Sequence, residues 1–289
     1  MLKTYYNLTK PGIIYGNLVN TTSGFLLACV LQETFPLTTA LGVLGGTALV
    51  IACGCVINNY IDRGIDQHMQ RTKNRALVRG DVSGRSALIF ATILGVLGFI
   101  VLWRWTNLPT LIIGIVGLVD YIVAYGYWKR HSPIGTLVGS ISGATPPLAG
   151  YVAVVGGVDM GAILVFLLFA AWQMPHFYAI ALYRSREYKA AGIPVLPLKK
   201  GRHYTKVSMM AYIGLFTMCS ILLTIFGYTG YLFAVAMGAL GALWLYKGTR
   251  GFRATDIEAS DKWARGMFGF SLIVTIALAG MLPLGAILP

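Results

Sequence analysis

The sequence predicts an all-α integral membrane protein, a bundle of nine transmembrane helices. Its 289 residues are 56% hydrophobic and only 11% charged, whereas a soluble globular domain carries about 25% charged residues. The apolar residues also come in long blocks, and blocks of about 20 residues match the thickness of the hydrocarbon core of a bilayer. Composition and block length together exclude an ordinary soluble enzyme.

Nine apolar stretches are each long enough to cross a membrane, and the intervening connections are polar. We expect residues 1–289 to form a single transmembrane domain. The predicted spans are about 12–31, 37–59, 87–105, 108–127, 134–156, 160–182, 207–226, 229–247 and 266–288.

The basic residues predict how these spans are oriented. If the spans alternate, every lysine and arginine except Arg104 falls on one side of the membrane. Cytoplasmic connections carry such an excess of basic residues, so the N-terminus is predicted to be cytoplasmic and the C-terminus outside. The net charge of +13 then orients the chain and meets anionic lipid headgroups, and no nucleic-acid partner is expected.

The most informative polar residues lie where the second span ends. Asn58, Asp62 and Asp66 are spaced at four, so on a helix they share one face over two turns. Two carboxylates at this spacing repel unless a positive charge lies between them, and we expect a divalent cation there. Their hard oxygen ligands suit Mg²⁺, which usually completes its shell with water and substrate phosphates.

Three cations follow within ten residues of Asp66, namely Arg71, Lys73 and Arg75. Arginine binds phosphate oxygens bidentately and lysine offers a point charge. Carboxylates and cations together at a membrane rim therefore predict a metal-bridged diphosphate. The alternative is a solvated cytoplasmic loop in which acids balance bases.

The connection after the sixth span repeats this composition more weakly. Glu187 lies among Arg184, Arg186 and Lys189. A carboxylate among cations makes Glu187 a further candidate metal ligand, although Ala191 stands where a second acidic residue would complete the motif.

Tyr125 and Lys129 share a helix face at the end of the fourth span. Lys129 could reach a phosphate, and Tyr125 could offer its hydroxyl or its ring face to a cation. The alternative is an interfacial aromatic belt that includes Tyr121, Tyr127 and Trp128.

Two ionisable residues fall within predicted spans, and such residues are functional candidates. His176 follows Pro175 in the sixth span; it is either a ligand or a buried histidine bound by a carbonyl that the proline frees. Asp120 in the fourth span has no evident partner. Glycines at 135, 139 and 143 predict close helix packing along the fifth span, and Pro146–Pro147 predicts a kink there.

Five segments together resemble the intramembrane aromatic prenyltransferases, in particular the branch that farnesylates haem. The first, NNYIDRGIDQHMQRTKNR from Asn58, resembles the aspartate-rich motif of that family. The others, in the family's order, are TKPGIIYGN from Thr9, YGYWKRHSPIGT from Tyr125, GSISGATPPLAGY from Gly139 and WQMPHFYAIALYRSREYKAAGIPVLP from Trp172.

The resemblance implies a nine-helix bundle around a central cavity in the bacterial cytoplasmic membrane. It implies farnesyl diphosphate as donor, haem B as acceptor, Mg²⁺ as cofactor and a haem-handling membrane partner as a further possibility. The catalytic group would be Asn58, Asp62, Asp66, Tyr125 and Lys129. The metal ligands would be Asn58, Asp62, Asp66 and Glu187, the diphosphate ligands Arg71, Lys73, Arg75 and Lys129, and the haem ligand His176.

Two alternative functions remain open on the sequence. A prenyltransferase that acts on a quinone-precursor ring would share the metal motif. A secondary transporter would place charged residues near the bilayer midplane, whereas here the carboxylates gather at one rim.

Overall fold

Nine membrane-length helices, labelled α1 to α9, make up most of the fold. The computed structural model describes residues 2–254 and 256–289, and within those ranges it contains no β-strand. By length and composition, nine of the described helices can cross a membrane. They are α1 Pro11–Leu31, α2 Leu37–Asp66, α3 Gly84–Trp105, α4 Leu108–His131, α5 Gly135–Val155, α6 Met160–Tyr183, α7 Gly201–Ile225, α8 Tyr231–Arg253 and α9 Ile257–Ile287.

All nine predicted spans are confirmed, but several helices continue past the apolar blocks. The helix α2 runs on to Asp66, α7 begins at Gly201 and α9 begins at Ile257. Hydropathy reports where the apolar residues stop and not where the backbone hydrogen bonds stop. The extension of α2 carries Asp62 and Asp66 on a regular helix beyond its apolar part.

Short helices fill the two long connections and the N-terminus. Their ranges are Leu2–Leu8, Ala76–Arg79, Ser185–Ala190 and Leu196–Lys199. They lie beside the same ends of α2, α4 and α6, where the predicted site residues are found.

The helices pack in close pairs, with α2 along α3, α1 along α5, and α6 against α5, α7 and α9. Small residues permit the closest of these approaches. Gly24 of α1 faces the backbone of Pro147, and Gly150 of α5 faces the backbone of Thr21, so a Cβ at either glycine would collide with main-chain atoms. The close packing predicted at the glycines of α5 is also confirmed, since a Cβ at Gly135 would lie 2.6 Å from the Cα of Lys129 and one at Gly143 would collide with the side chain of Gln173.

The prolines of α5 leave backbone carbonyls without their usual N–H donors, and a side chain of the same helix donates to one of these carbonyls. Pro146 has no N–H for the carbonyl of Ser142, and the Thr145 hydroxyl donates to that carbonyl instead at 2.8 Å. The sequence led us to expect a neighbouring helix, water or substrate there. A threonine one residue before the proline reaches the same oxygen from within the helix.

A π-helical turn over Asp120–Ala124 interrupts α4. Asp120 accepts a hydrogen bond from the backbone N–H of Ser142 on α5 at 3.1 Å, which is the partner that the sequence did not identify. Turns of this kind are common at functional sites. Here the turn directly precedes Tyr125 and Lys129.

An apolar groove runs along the side of the bundle between the first and last membrane helices. It encloses about 500 Å³. Its walls are formed by α1 and α9, and they include Tyr15, Leu18, Thr22, Leu26, Ile276 and Gly280.

Candidate active site

The carboxylate of Asp62 is bound by two cations from the end of α4. Lys129 Nζ lies 2.6 Å from Asp62 Oδ2, and Arg130 Nη2 lies 2.9 Å from Asp62 Oδ1. Arg130 also donates to the Ile61 carbonyl at 2.8 Å. The sequence placed Asn58, Asp62 and Asp66 on one helix face, and the structure confirms the helix.

Asp66 is bound in the same manner by a cation from its own connection. Arg75 Nη1 lies 2.5 Å from Asp66 Oδ2, and the Thr72 hydroxyl donates to the Asp66 carbonyl at 3.1 Å. Protein cations therefore balance both charges in this structure, and the divalent cation expected between the carboxylates stays a prediction. Sequence spacing shows the repulsion within one helix but not the distant cation that removes it.

A fourth cation, Lys10, enters the cluster from the segment before α1. Its Nζ donates to Asn58 Oδ1 at 3.3 Å, and its backbone is left-handed, with φ of 53°. Burial lowers the pKa of Lys10 to about 8, and the positive charge of Arg75 acts in the same direction. Sequence reasoning did not assign Lys10 a role, although the Lys-Pro pair before a helix was a usable signal.

Asn59 explains how Lys10 reaches this position. Its Nδ2 donates to the Leu8 carbonyl at 2.9 Å and ties the N-terminal helix to α2. The neighbouring Asn58 Nδ2 is buried and has no hydrogen-bond partner among the described residues. A buried amide without a partner is costly, so this position is suited to receive an acceptor group such as a phosphate oxygen.

Tyr125 lies beside Lys129, with the ammonium 5.1 Å from the ring centroid. Tyr121 stacks on the same ring at 5.7 Å. The ring fits against α5 because Gly139 has no side chain; a Cβ there would lie 2.7 Å from a ring carbon. Tyr127 and Trp128 are exposed and fit the aromatic-belt interpretation, whereas Tyr125 is half-buried beside the ion pairs.

The two long connections meet near this site through Tyr188. Burial raises the pKa of the Tyr188 hydroxyl, while the nearby guanidinium of Arg71 acts in the opposite direction. Arg71 and Lys73 are both exposed, and neither makes a side-chain hydrogen bond or ion pair with a described residue. Of the three predicted cations, the structure therefore joins only Arg75 to the carboxylates.

Glu187 pairs with Arg184 at 3.3 Å within its own short helix. In residues 2–254 and 256–289, no three His, Cys, Asp or Glu side chains converge closely enough to hold a metal ion. The residues nevertheless fit Mg²⁺ with a phosphate substrate. They offer hard oxygens on successive turns of α2, and Mg²⁺ commonly takes one or two carboxylates and completes its shell with phosphates and water.

His176 is held by a neighbour that the sequence did not reveal. Its Nδ1 lies 2.8 Å from the hydroxyl of Ser271 on α9 and not against a carbonyl freed by Pro175. The single proton of that hydroxyl is donated to the Phe268 carbonyl at 2.6 Å, because a carbonyl can only accept. With the hydroxyl proton in this direction, Nδ1 of His176 donates to Ser271 Oγ and the lone pair is on Nε2.

Aromatic rings surround this imidazole. Trp172 stacks on it at 5.1 Å and Phe268 lies at 4.9 Å. Trp172 Nε1 also donates to the Ser271 carbonyl at 2.8 Å. No described residue forms a hydrogen bond with Nε2 of His176, which leaves this nitrogen free to bind a ligand.

Residues 17–272 match the model of the UbiA prenyltransferase family. The chain is also similar to the protoheme IX farnesyltransferases of Citrobacter koseri and Salmonella typhimurium. It is 46% identical to each over 290 residues, which cover 100% of this chain and 96% of each relative.

Solved structures share the fold at lower sequence identity. A digeranylgeranylglyceryl phosphate synthase superposes with a TM-score of 0.81 at 22% identity, covering 99% of this chain and 98% of that one. A UbiA homolog from Archaeoglobus fulgidus bound to DMAPP and Mg²⁺ superposes with a TM-score of 0.74 at 15% identity. The match covers 96% of this chain and 99% of that one. The chain therefore belongs to the UbiA prenyltransferase family and, within it, to the protohaem IX farnesyltransferases.

Proposed function

We propose that this protein transfers the farnesyl group of farnesyl diphosphate to a vinyl group of haem B, which gives haem O and diphosphate. The observation that carries this proposal is the ring of cations around the polar face of α2. Lys129, Arg130 and Arg75 bind its carboxylates, and Lys10 binds its amide. The name of its 46%-identical relatives supports the choice of substrates.

In the donor half, Asn58, Asp62 and Asp66 hold Mg²⁺ against the diphosphate, with Glu187 as a more distant candidate ligand. When bound, Mg²⁺ supplies positive charge where the negative charge of the leaving group develops. Lys129 and Arg75 would then turn from Asp62 and Asp66 to phosphate oxygens. Arg71 and Lys73, which hold no carboxylate, would meet the diphosphate at the outer edge. The carboxylate oxygens left by Lys129 and Arg75 would be available to the metal, and Arg130 would remain on Asp62.

The reaction breaks the bond between C1 of the farnesyl chain and the diphosphate oxygen, which keeps the electron pair. The allylic cation is attacked by the π-electrons of the haem vinyl group. Water then adds to the resulting porphyrin-stabilised cation and loses a proton, which gives the hydroxyethylfarnesyl group. The ring face of Tyr125, beside Lys129, lies where an allylic cation would gain from π-electrons.

In the acceptor half, His176 binds the haem iron through Nε2. A metal-binding histidine usually donates its other ring N–H to an oxygen, and this bond fixes its tautomer. Ser271 provides that oxygen. The stacked ring of Trp172 offers an apolar surface beside the imidazole.

The nine described spans make this a multi-pass membrane protein, and its orientation belongs to the proposal. Residues 1–289 act as one domain in the bacterial cytoplasmic membrane with the N-terminus inside. The donor site then faces the cytoplasm. The positions of the lysines and arginines support this orientation, and a haem-handling membrane partner would approach within the bilayer.

The test is product formation by the purified protein. Haem B, farnesyl diphosphate and Mg²⁺ are expected to yield a product heavier by one farnesyl group and one hydroxyl group, detected by mass spectrometry. A quinone-precursor acid in place of haem is the matched control. Prenylation of that ring with no change in haem would reject the proposed acceptor and favour the alternative prenyltransferase.

A further inference from the structure

The seam between α6 and α9 continues from His176 to the end of the bundle that carries the donor site. The two helices run antiparallel here, since Ser271 contacts His176 while Phe268, one turn earlier on α9, contacts both His176 and Tyr183. His176 and Tyr183 are seven residues apart, which is two turns or about 10 Å along α6. An aromatic strip thus joins the free imidazole nitrogen to the membrane rim.

Two guanidiniums lie at the rim end of this strip, both near the ring of Tyr183. Arg184 lies 5.4 Å and Arg265 5.8 Å from the centroid of the Tyr183 ring. Arg265 is exposed and forms no ion pair with any carboxylate in the described part of the chain. Arg184 makes a partly exposed pair with Glu187 at 3.3 Å. One guanidinium is thus free, and the other is held weakly.

The carboxylates near these arginines have other partners. Asp261, one turn before Arg265, is bound by Arg202 at 2.5 Å, and Arg202 also donates to the hydroxyl of Ser260 at 3.0 Å. These contacts keep the nearest acid of α9 away from Arg265. The rim end of the seam therefore carries an excess of positive charge that points to an anionic ligand.

We propose that Arg265, assisted by Arg184, binds the propionate carboxylates of haem at the rim end of the α6–α9 seam. This inference rests on the proposed function, in which His176 binds the iron two turns deeper. A guanidinium matches a carboxylate bidentately, and the strip of Phe268 and Tyr183 covers the apolar macrocycle between the two contacts. The site fixes which edge of the macrocycle points away from the rim.

The test compares haem B with its dimethyl ester, in which both carboxylates are masked. Binding is followed by absorbance in nanodiscs of phosphatidylcholine, so that no anionic lipid competes for the arginines. The unmodified protein is expected to prefer haem B by about fivefold or more. Arg265→Gln should lose most of this preference by weakening haem B alone, and Arg265→Lys should retain part of it.

Arg250→Gln is the matched control, because Arg250 lies over the ring of Tyr246 at 4.8 Å and ends a different span. It should keep the full preference for haem B. Full preference in Arg265→Gln, or none in the unmodified protein, would overturn the propionate site and indicate that Arg265 meets lipid phosphates. If haem B has the same absorbance spectrum when bound to His176→Ala as when bound to the unmodified protein, the acceptor half of the proposed function is wrong instead.

Discussion

At the end of α2 each carboxylate is bound by a cation from elsewhere in the chain, whereas in the α6–α9 seam His176 is held by a neutral hydroxyl and aromatic rings. In the first region, the cations that bind the carboxylates could bind a diphosphate instead, and the carboxylates could bind its metal. The second fixes the direction of one nitrogen in apolar surroundings. The difference indicates that the donor half stabilises a leaving group while the acceptor half orients a large ring.

The largest effect is expected from removing a carboxylate of the charged region. Asp62→Ala and Asp66→Ala should each lower Mg²⁺-dependent diphosphate release by about 10³-fold or more, because the metal loses a ligand where leaving-group charge develops. Haem binding should stay unchanged. Glu187→Ala is the control and should cost much less; an equal loss there would make Glu187 a primary ligand.

The next largest effect is expected from Lys129→Met, which keeps the length of the side chain and removes its charge. Release of diphosphate should fall by about 10²-fold, since one positive contact to the leaving group is lost. Lys206→Met is the control, because Lys206 binds a backbone carbonyl of Gly251 at 2.7 Å away from α2. Turnover that falls equally in both variants would show a general loss of structure.

A smaller effect is expected in the neutral region from Ser271→Ala. Without the hydroxyl that accepts from Nδ1, the imidazole can take either tautomer, and haem affinity should fall by about tenfold. Ser271→Thr keeps the hydroxyl and should restore both the affinity and the haem absorbance spectrum. If Ser271→Ala binds haem normally, the tautomer argument is wrong.

The smallest effect is expected from a packing change on α5, beside the charged region. Gly139→Ala would place a Cβ against the ring of Tyr125 and should destabilise the protein by about 1–3 kcal/mol, with a modest loss of turnover. Gly214→Ala is the matched control, because its Cβ would meet nothing within 4 Å. Thermal unfolding in detergent should separate the two, and equal midpoints would contradict the packing assigned to Gly139.

The nine spans could be predicted because hydropathy is a local property of the chain. The stacking of Asn58, Asp62 and Asp66 was predicted for the same reason, since all three lie on one helix. The contacts that complete each region could not be predicted, because they join residues far apart in sequence. Lys10 is 48 residues from Asn58, Lys129 is 67 from Asp62, and His176 is 95 from Ser271.

Local sequence patterns also gave an incomplete account of the partners of the α2 carboxylates and of His176. Two acids four residues apart predict repulsion that a metal ion would relieve, but the spacing could not show that Lys129 and Arg75 also bind these acids. In the structural alternative for His176, Pro175 would free a carbonyl as its partner, whereas α9 presents a serine hydroxyl to the ring. In both cases tertiary structure supplies a partner that no local pattern contains.

The most direct test of the two-region account is reciprocal binding in Asp66→Ala and His176→Ala. For each variant, Mg²⁺-dependent binding of farnesyl diphosphate is measured beside the affinity and absorbance spectrum of haem B. Asp66→Ala should lose the diphosphate and keep the haem spectrum, whereas His176→Ala should change the haem spectrum and keep the diphosphate. If His176→Ala leaves the haem spectrum and affinity unchanged and lowers only the unfolding temperature, His176 is structural and the assignment of the acceptor half is wrong.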